Sequence, residues 1–264
     1  MTAEKDMQAM ILEDVRFDIA GKEVLKPLTF RFSGEGVIGL IGQNGSGKST
    51  LLKLLARQLA PTSGRISFGG RPLPSWGERD FARRVAYLPQ YTPLAPGLTV
   101  RELVSLGRYP WHGAFGRFGS RDHAKVDEAL ALTSTQPVAE RLVDTLSGGE
   151  RQRVWMAMLL AQDARLLLLD EPISALDVAH QVEVLGLVQR LSVEKSIGVI
   201  VVIHEINMAA RYCGAIMALK EGRMIGHGPP EEFMSARRLA EIYDVAMGVV
   251  SNPDSGGTIA FVRG

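Results

Sequence analysis

The chain has 264 residues, of which 46% are hydrophobic and 22% charged, and these proportions are typical of a globular protein with a substantial core. Its formal net charge of +1 argues against a nucleic-acid partner, whose binding surface usually requires a clustered basic excess. No stretch approaches the length of unbroken apolar sequence that a membrane-spanning helix needs. The start lacks a basic region followed by an apolar one, and the single cysteine, Cys213, fits a reducing cytoplasm, so export is not expected.

The order of predicted elements indicates an α/β fold. Residues 11–32 have short alternating apolar runs, which predict antiparallel strands at the beginning of the chain. Continuous apolar strands such as 166–169 and 198–203 then alternate with helical patterns, and this predicts a mainly parallel sheet covered on both faces. We therefore expect a single domain over 1–264, with a helical insert at approximately 91–163.

The insert is predicted from its helical texture. Its clearest helical patterns lie at 100–107 and 121–132, and a stretch rich in glycine and aromatic residues at 109–119 is predicted to connect them as a loop. Two aromatic residues of that stretch, Tyr109 and Trp111, are equally compatible with a buried position and with a position in an interface.

The strongest motif is a glycine-rich loop at 42–49, which reads Gly-Gln-Asn-Gly-Ser-Gly-Lys-Ser. It lies between an apolar strand and a leucine-periodic helix, which is the setting that a phosphate-binding loop requires. Glycines allow backbone N–H groups to curl around an anion, Lys48 can reach the β- and γ-phosphates, and the Ser49 hydroxyl can bind Mg²⁺. A flexible connector would not require the lysine. The predicted nucleotide-binding residues are Gly42, Asn44, Gly45, Ser46, Gly47, Lys48, Ser49 and Thr50.

Polar residues at three strand ends complete the predicted site. Asp170 follows an apolar run and is expected to bind Mg²⁺, while Glu171 is placed to orient a water for attack on the γ-phosphate. His204 follows the strand at 198–203, which should end at the same sheet edge as the strand before Asp170, so we expect His204 to contact the γ-phosphate. Gln90 ends the strand at 85–90, where its amide can reach Mg²⁺ or the attacking water. Solvated loop acids and a structural histidine are the alternatives, and the nearby phosphate loop disfavours them.

A second distinctive stretch, Leu-Ser-Gly-Gly-Glu, occupies 146–150. Ser147 and Glu150 have the spacing of a capping box for the helix that follows. A helix start with Gly148 and Gly149 beside a serine hydroxyl is also suited to phosphate, and the two interpretations are compatible. Because one nucleotide cannot easily occupy both sites of one chain, we infer that this site serves the nucleotide of another subunit.

In their order, these motifs resemble those of the ATP-binding-cassette (ABC) ATPases. The resemblance covers nearly the whole chain and identifies 42–49 as the Walker-A loop, Gln90 as the Q-loop glutamine, 146–150 as the signature, Asp170 and Glu171 as Walker B, 174–177 as the D-loop and His204 as the switch histidine. It implies a P-loop NTPase fold, ATP and Mg²⁺ as ligands, and a head-to-tail dimer of two copies with ATP sandwiched between the Walker loop of one and the signature of the other.

Within the family, residues 98–104, 107–113 and 204–212 are most similar to importer ATPases for ferric siderophores and vitamin B12, especially those for ferric hydroxamates. The resemblance implies a peripheral subunit at the cytoplasmic face of the inner membrane, bound to integral permease subunits and served indirectly by an extracytoplasmic substrate-binding protein. A cobalamin or haem importer is the first alternative. A soluble cassette ATPase usually has two cassettes or a coiled-coil insert, and a kinase has no use for the signature serine.

Some positions depart from the family pattern. Ile19 stands where an aromatic residue usually stacks on adenine, with Phe17 two places earlier, so only apolar contact with the base is expected there. Ile173 and Glu205 replace a threonine and an aspartate, and we expect activity to survive both. The C-terminal run 246–264 is compatible with a final strand at 258–262 or with a docking tail.

Overall fold

The computed structural model describes residues 9–93, 95–113, 116–174, 176–253 and 257–264. An antiparallel sheet contains the strands nearest the N-terminus: β1 (Met10–Ile19), β2 (Lys22–Phe32), β4 (Ser63–Phe68) and β5 (Arg71–Pro72). Their order across the sheet is β2-β1-β4-β5. The predicted antiparallel strands at the beginning of the chain are therefore confirmed.

The central sheet of the described chain contains β3 (Val37–Ile41), β6 (Val85–Leu88), β7 (Leu166–Leu169), β8 (Gly198–Val202), β9 (Ala215–Lys220) and β10 (Arg223–Gly228). The order is β10-β9-β3-β8-β7-β6, and every neighbouring pair is parallel except β9 with β10. Strands β3, β7 and β8 are buried along their whole length, as expected for parallel strands covered on both faces. The predicted mainly parallel sheet is confirmed.

Helices cover the sheets and form the insert. In chain order they are α1 (Lys48–Leu55), α2 (Glu78–Ala82), α3 (Val100–Leu106), α4 (Tyr109–His112), α5 (Ser120–Leu132), α6 (Gly148–Ala161), α7 (Val178–Glu194), α8 (Ile206–Tyr212) and α9 (Ala236–Tyr243). None of the described helices is long and apolar enough to cross a membrane. Helix α1 lies between the two sheets, where its leucines join a core with the phenylalanines of β2 and β4.

A buried ion pair holds the insert together. The guanidinium of Arg108, which is only 1% exposed, donates from Nε to Oδ1 of Asp122 at 2.9 Å and from Nη1 to the carbonyl oxygen of Ala161 at 2.8 Å. Arg108 precedes α4, Asp122 lies in the first turn of α5, and Ala161 ends α6. One side chain thus connects three helices of the insert, and each of its partners satisfies part of a buried charge.

The prediction of a loop over 109–119 was wrong at its beginning. Residues 109–112 form the short helix α4, whose second residue is Pro110, a residue well suited to the first turn of a helix because it needs no N–H partner there. The helix stops at Gly113, whose φ of 68° ends the helical conformation. The later part of the predicted loop, 116–119, contains no helix or strand. Positions 114 and 115 are outside the described residues.

The C-terminal region forms a hairpin of β11 (Met247–Ser251) and β12 (Thr258–Val262). The side chain of Asn207 in α8 receives a hydrogen bond from the backbone N–H of Ala260 at 2.8 Å and donates one to its carbonyl at 3.1 Å. The strand at 258–262 is therefore present and attached to the core. Strands β10 and β11 and helices α2 and α9 were not anticipated from the sequence.

Candidate nucleotide-binding and hydrolysis site

The glycine-rich loop connects β3 to α1 and bends through three left-handed glycines. Gly42, Gly45 and Gly47 have φ values of 143°, 79° and 101°. A Cβ on Gly42 would clash with the carbonyl oxygen of Leu219, and a Cβ on Gly47 would lie 2.6 Å from Cδ2 of Leu25. Gly45 faces open space, with no atom within 4 Å of such a Cβ. Two glycines are thus required by both packing and conformation, whereas the third leaves the tip of the loop accessible.

Lys48 lies at the start of α1, with its ammonium under the loop. Its Nζ donates to the carbonyl oxygens of Gly42 and Gln43, both at 2.8 Å. Burial lowers the pKa of Lys48, and the negative charges of Glu171 and Asp170 oppose that shift. The lysine is therefore fixed beneath the curve of the loop, close to both carboxylates of the Walker-B strand.

The loop also fits a phosphate chemically. The hydroxyl oxygen of Ser46 is buried and has no hydrogen-bond partner among the described residues. An unsatisfied buried hydroxyl is costly, so a ligand oxygen at this place would stabilise it. Asn44 and Gly45 are exposed at the tip of the loop, and Thr50 is half-buried in the first turn of α1. The tip of the loop is therefore open to solvent.

Two of the three predicted Mg²⁺ ligands are in direct contact. The Ser49 hydroxyl donates to Oδ1 of Asp170 at 2.9 Å, and the Tyr87 hydroxyl lies 3.4 Å from the other carboxylate oxygen. Asp170 is almost completely buried; desolvation raises its pKa, and the hydrogen bond from Ser49 lowers it. A hydroxyl beside a carboxylate is the type of oxygen donor set that Mg²⁺ prefers. The third candidate, Gln90, contacts Glu171 instead.

Glu171 is the centre of the predicted catalytic group. Its Oε1 lies 2.7 Å from Nε2 of His204, and its Oε2 accepts a hydrogen bond from Nε2 of Gln90 at 2.7 Å. Glu171, Gln90 and His204 follow β7, β6 and β8, and β7 lies between the other two in the sheet. Glu171 has a φ of 52°, an uncommon left-handed conformation for a residue other than glycine. The fold therefore brings together three side chains that come from separate parts of the sequence.

The predicted capping box at the start of α6 is present. The backbone N–H of Glu150 donates to the Ser147 hydroxyl at 3.3 Å, and the Glu150 carboxylate accepts from the Ser147 N–H at 2.9 Å. Ser147 and Gly148 are exposed, and Gly149 lies beside the ring of His180. Among the residues that the structure describes, no hydrogen bond or ion pair connects 147–149 with the Walker loop. The role of this helix start in a second subunit's site stays a prediction.

The structure shows the surroundings of the positions that depart from the family pattern. Ile19 ends β1 with 53% of its surface exposed, whereas Phe17 is buried in the core under the antiparallel sheet and cannot stack on a base. Glu205 caps α8, because its carboxylate accepts from the N–H groups of Asn207 and Met208 at 3.0 and 2.7 Å. Ile173 is buried in the main core. Of the D-loop, position 175 is outside the described residues.

One set of contacts to the Walker loop was not anticipated from the sequence. Nε2 of Gln43 donates to the carbonyl oxygen of Tyr243 at 2.6 Å and to Oδ2 of Asp244 at 3.0 Å. Asp244 also forms an ion pair with Lys220, which lowers the pKa of the aspartate. The Tyr243 hydroxyl lies 3.4 Å from the carbonyl oxygen of His204. The end of α9 therefore contacts both the phosphate loop and the strand end that carries the histidine.

Comparison with known proteins agrees with this geometry. A model of the ABC transporter family matches residues 25–174, which is more than half of the chain. The chain belongs to the ABC transporter family. As a member of this family it is a nucleotide-binding ATPase, and the predicted family and enzyme class are confirmed.

Curated relatives include several importer subunits. The chain is 40% identical to the iron(3+)-hydroxamate import ATP-binding protein FhuC of Bacillus subtilis, over 94% of this chain and 92% of that protein. It is 38% identical to the achromobactin transport ATP-binding protein CbrD of Dickeya dadantii, over 94% of this chain and 92% of that protein. The hemin import ATP-binding protein HmuV of Streptomyces coelicolor is 40% identical to the chain, over 93% of this chain and 86% of that protein. The predicted likeness to siderophore-import ATPases, FhuC in particular, is confirmed.

Solved structures confirm the fold class. A chain of an ABC transporter in an inward-facing conformation superposes with a TM-score of 0.84 at 26% identity, over 97% of this chain and 98% of that one. A dimeric bacterial ABC transporter cassette superposes with a TM-score of 0.73 at 27% identity, over 84% of this chain and 98% of that one. The predicted α/β cassette, with its antiparallel N-terminal part and helical insert, corresponds to this architecture.

Proposed function

We propose that this chain is the ATP-hydrolysing subunit that energises a membrane importer of ferric siderophores, with ferric hydroxamates as the favoured class. The observation that carries the ATPase assignment is Glu171 held between His204 and Gln90, next to the contact of Ser49 with Asp170. The substrate class is supported by relatives such as FhuC and CbrD, which match the chain almost from end to end.

Each residue of the site has a proposed role in hydrolysis. The Walker loop binds the phosphates through the buried, unsatisfied hydroxyl of Ser46 and the ammonium of Lys48. Ile19 contacts the adenine. Ser49, Asp170 and Gln90 would hold Mg²⁺, which neutralises charge on the phosphate oxygens when it is bound. Glu171 accepts a hydrogen bond from the attacking water and orients it.

His204 is proposed to contact the γ-phosphate and to keep Glu171 in position. Its ring nitrogen already lies within hydrogen-bond distance of the carboxylate, and its carbonyl oxygen faces the Tyr243 hydroxyl. Gln90 donates to the other carboxylate oxygen and stands immediately before the insert. A change at the phosphate would therefore reach the insert through a single amide side chain, which makes Gln90 a suitable coupling residue.

The working unit is proposed to be a head-to-tail dimer of two copies, in which Ser147, Gly148 and Gly149 of one subunit cover the nucleotide of the other. The exposure of this helix start and the dimeric state of a related cassette support this arrangement. ATP would favour the closed dimer, and loss of the γ-phosphate would reverse that preference. We place the dimer at the cytoplasmic face of the inner membrane, on permease subunits that receive substrate from an extracytoplasmic binding protein.

A haem importer is the second candidate. The hemin import protein HmuV has the same 40% identity as FhuC, although the chain covers somewhat less of it. In the proposed arrangement the transported molecule contacts the permease and not this subunit, so no side chain of the site distinguishes iron chelates from haem.

Uptake of radiolabelled ferric hydroxamate, ferric catecholate and haem by cells that lack this gene tests the proposal. Cells restored with wild-type protein or with the matched control Glu194→Gln, an exposed residue at the end of α7, should recover uptake. Cells restored with Glu171→Gln should not. Recovery of haem uptake alone would identify the second candidate, and normal uptake of every compound without the gene would contradict an importer role.

A further inference from the structure

A cavity of about 580 Å³ lies at the opposite edge of the central sheet from the nucleotide site. Arg84, Arg165 and Ile197 line it, and each stands immediately before a strand: β6, β7 and β8 respectively. Because these strands are parallel, their amino ends meet at one edge and their carboxyl ends, with the catalytic group, at the other. The insert closes the cavity with Trp111 of α4 and two residues of α5. We call this space the basic cavity.

Positive charge is concentrated in the basic cavity. Six basic side chains and two carboxylates line it, in a chain whose formal net charge is only +1. The basic side chains are Arg83, Arg84, Arg121, Lys125, Arg165 and Lys195. Unpaired cations gathered around a concave surface create a strong positive potential, because the protein walls focus the field into the enclosed space.

Half of these cations have no carboxylate partner within the described residues. Lys125 pairs with Asp163 at 2.9 Å, Arg83 lies 3.6 Å from Asp80, and Lys195 pairs with Glu128. Three arginines, namely Arg84, Arg121 and Arg165, form no ion pair with any residue in the described part of the chain, and all three are exposed to solvent. Their charges are therefore accessible from outside.

Aromatic rings lie beside two of the three arginines, and a backbone hydrogen bond fixes the position of the third residue. Arg84 lies 5.1 Å from the ring centroid of Trp76, and Arg121 lies 5.9 Å from that of Trp111. The Trp111 ring is oriented by a hydrogen bond from its Nε1 to the carbonyl oxygen of Gln162 at 2.7 Å. The backbone N–H of Arg165 donates to the carbonyl oxygen of Arg84 at 2.9 Å, which sets the spacing of these two residues. An ordered group of cations loses less entropy on binding than a mobile one.

We propose that the basic cavity binds a small, multiply phosphorylated anion that contacts the core and the insert together. Guanidinium groups match phosphate oxygens in geometry as well as in charge. The concave shape admits a compact ligand and is unsuited to the flat surface of a membrane. Since Arg84 and Arg165 belong to the core and Arg121 to the insert, the ligand joins two parts of the chain that also meet at Gln90.

Calorimetric titration with inorganic tripolyphosphate tests this proposal. The titration uses full-length protein carrying Lys48→Ala, so that the Walker loop does not compete for the probe. We expect binding of one tripolyphosphate per chain, weakened by at least about tenfold when Arg84→Gln and Arg165→Gln are added. The matched control adds Arg237→Gln and Arg263→Gln, which remove the same charge from exposed positions outside the cavity. This control should change the affinity by less than about twofold.

A single change in the insert provides an independent check. Arg121→Gln alone should also weaken binding, and its thermal unfolding should match that of the parent protein because the side chain is exposed and unpaired within the described residues. Absence of binding to the Lys48→Ala protein would overturn the proposal, and so would an equal loss of affinity in the control pair. The titration requires neither transport nor hydrolysis, so its outcome is separate from that of the proposed function.

Discussion

The carboxyl edge of the central sheet and the start of α6 are both predicted to bind phosphate, but they are constructed differently. At the sheet edge, Lys48, Asp170 and Glu171 are shielded from solvent and bonded to neighbouring groups of the same site. At α6, Ser147 is exposed, and among the described residues its hydroxyl and its N–H bond only to Glu150. The first place is nearly complete within one chain, whereas the second needs another surface to enclose a ligand. This difference is the structural basis for expecting an interface between two copies.

The largest expected effect comes from Glu171→Gln. The amide keeps the shape of the side chain but is a very poor proton acceptor, so the hydrolysis rate should fall by about 10²–10⁴-fold while ATP still binds. Phosphate release and equilibrium binding of a fluorescent ATP analogue measure the two quantities. Lys48→Ala is the comparison, because it should weaken binding itself. Equal loss of binding in both variants would contradict the assigned roles.

The insert that carries α6 can be weakened without any change at the sheet edge. Asp122→Asn leaves the buried guanidinium of Arg108 without its countercharge, so the free energy of unfolding should fall by about 3–5 kcal/mol. Chemical denaturation measures this change. Asp127→Asn is the control, because Asp127 pairs with Arg101 on the surface and a change there should cost about 0–1 kcal/mol. Similar losses in the two variants would mean that the buried pair does not organise the insert.

Ser147→Ala tests whether the start of α6 acts on a second copy. Loss of the cap should lower the free energy of unfolding by about 1 kcal/mol, and ATP should no longer drive dimer formation in a Glu171→Gln background. Light scattering with and without Mg-ATP measures the oligomeric state. Thr99→Ala removes the equivalent capping box of α3 and should leave the dimer intact. A dimer that forms equally well without the Ser147 hydroxyl would argue against the sandwich arrangement.

The smallest expected effect concerns the contact between the Walker loop and α9. Gln43→Ala removes two hydrogen bonds to residues 243 and 244 and should cost about 0.5–1.5 kcal/mol of ATP affinity, seen as a rise in KM with little change in kcat. Steady-state kinetics measure both constants. Gln136→Ala, an exposed residue of the insert, should leave them unchanged. A KM equal to that of the wild type would show that the loop keeps its shape without α9.

Much of the site was predictable because its signals are local. The glycine pattern of the Walker loop, the capping box of α6 and the buried strand before Asp170 each depend on residues a few positions apart. The shared edge of Asp170 and His204 also followed from the sequence, since parallel strands end on the same side.

Other features depended on tertiary contacts that leave no local pattern. In the pair Tyr109 and Trp111, the sequence did not distinguish core from interface; the structure exposes half of Tyr109 and partly buries Trp111 among arginines. The contact of Gln43 with Asp244 joins residues about 200 positions apart. The sequence by itself determined the phosphate loop and most of the strands and helices around it, because those depend on short-range periodicity and backbone freedom. The partners of Gln43, Arg108 and Trp111 were decided only by the folded chain, since long-range packing selects them.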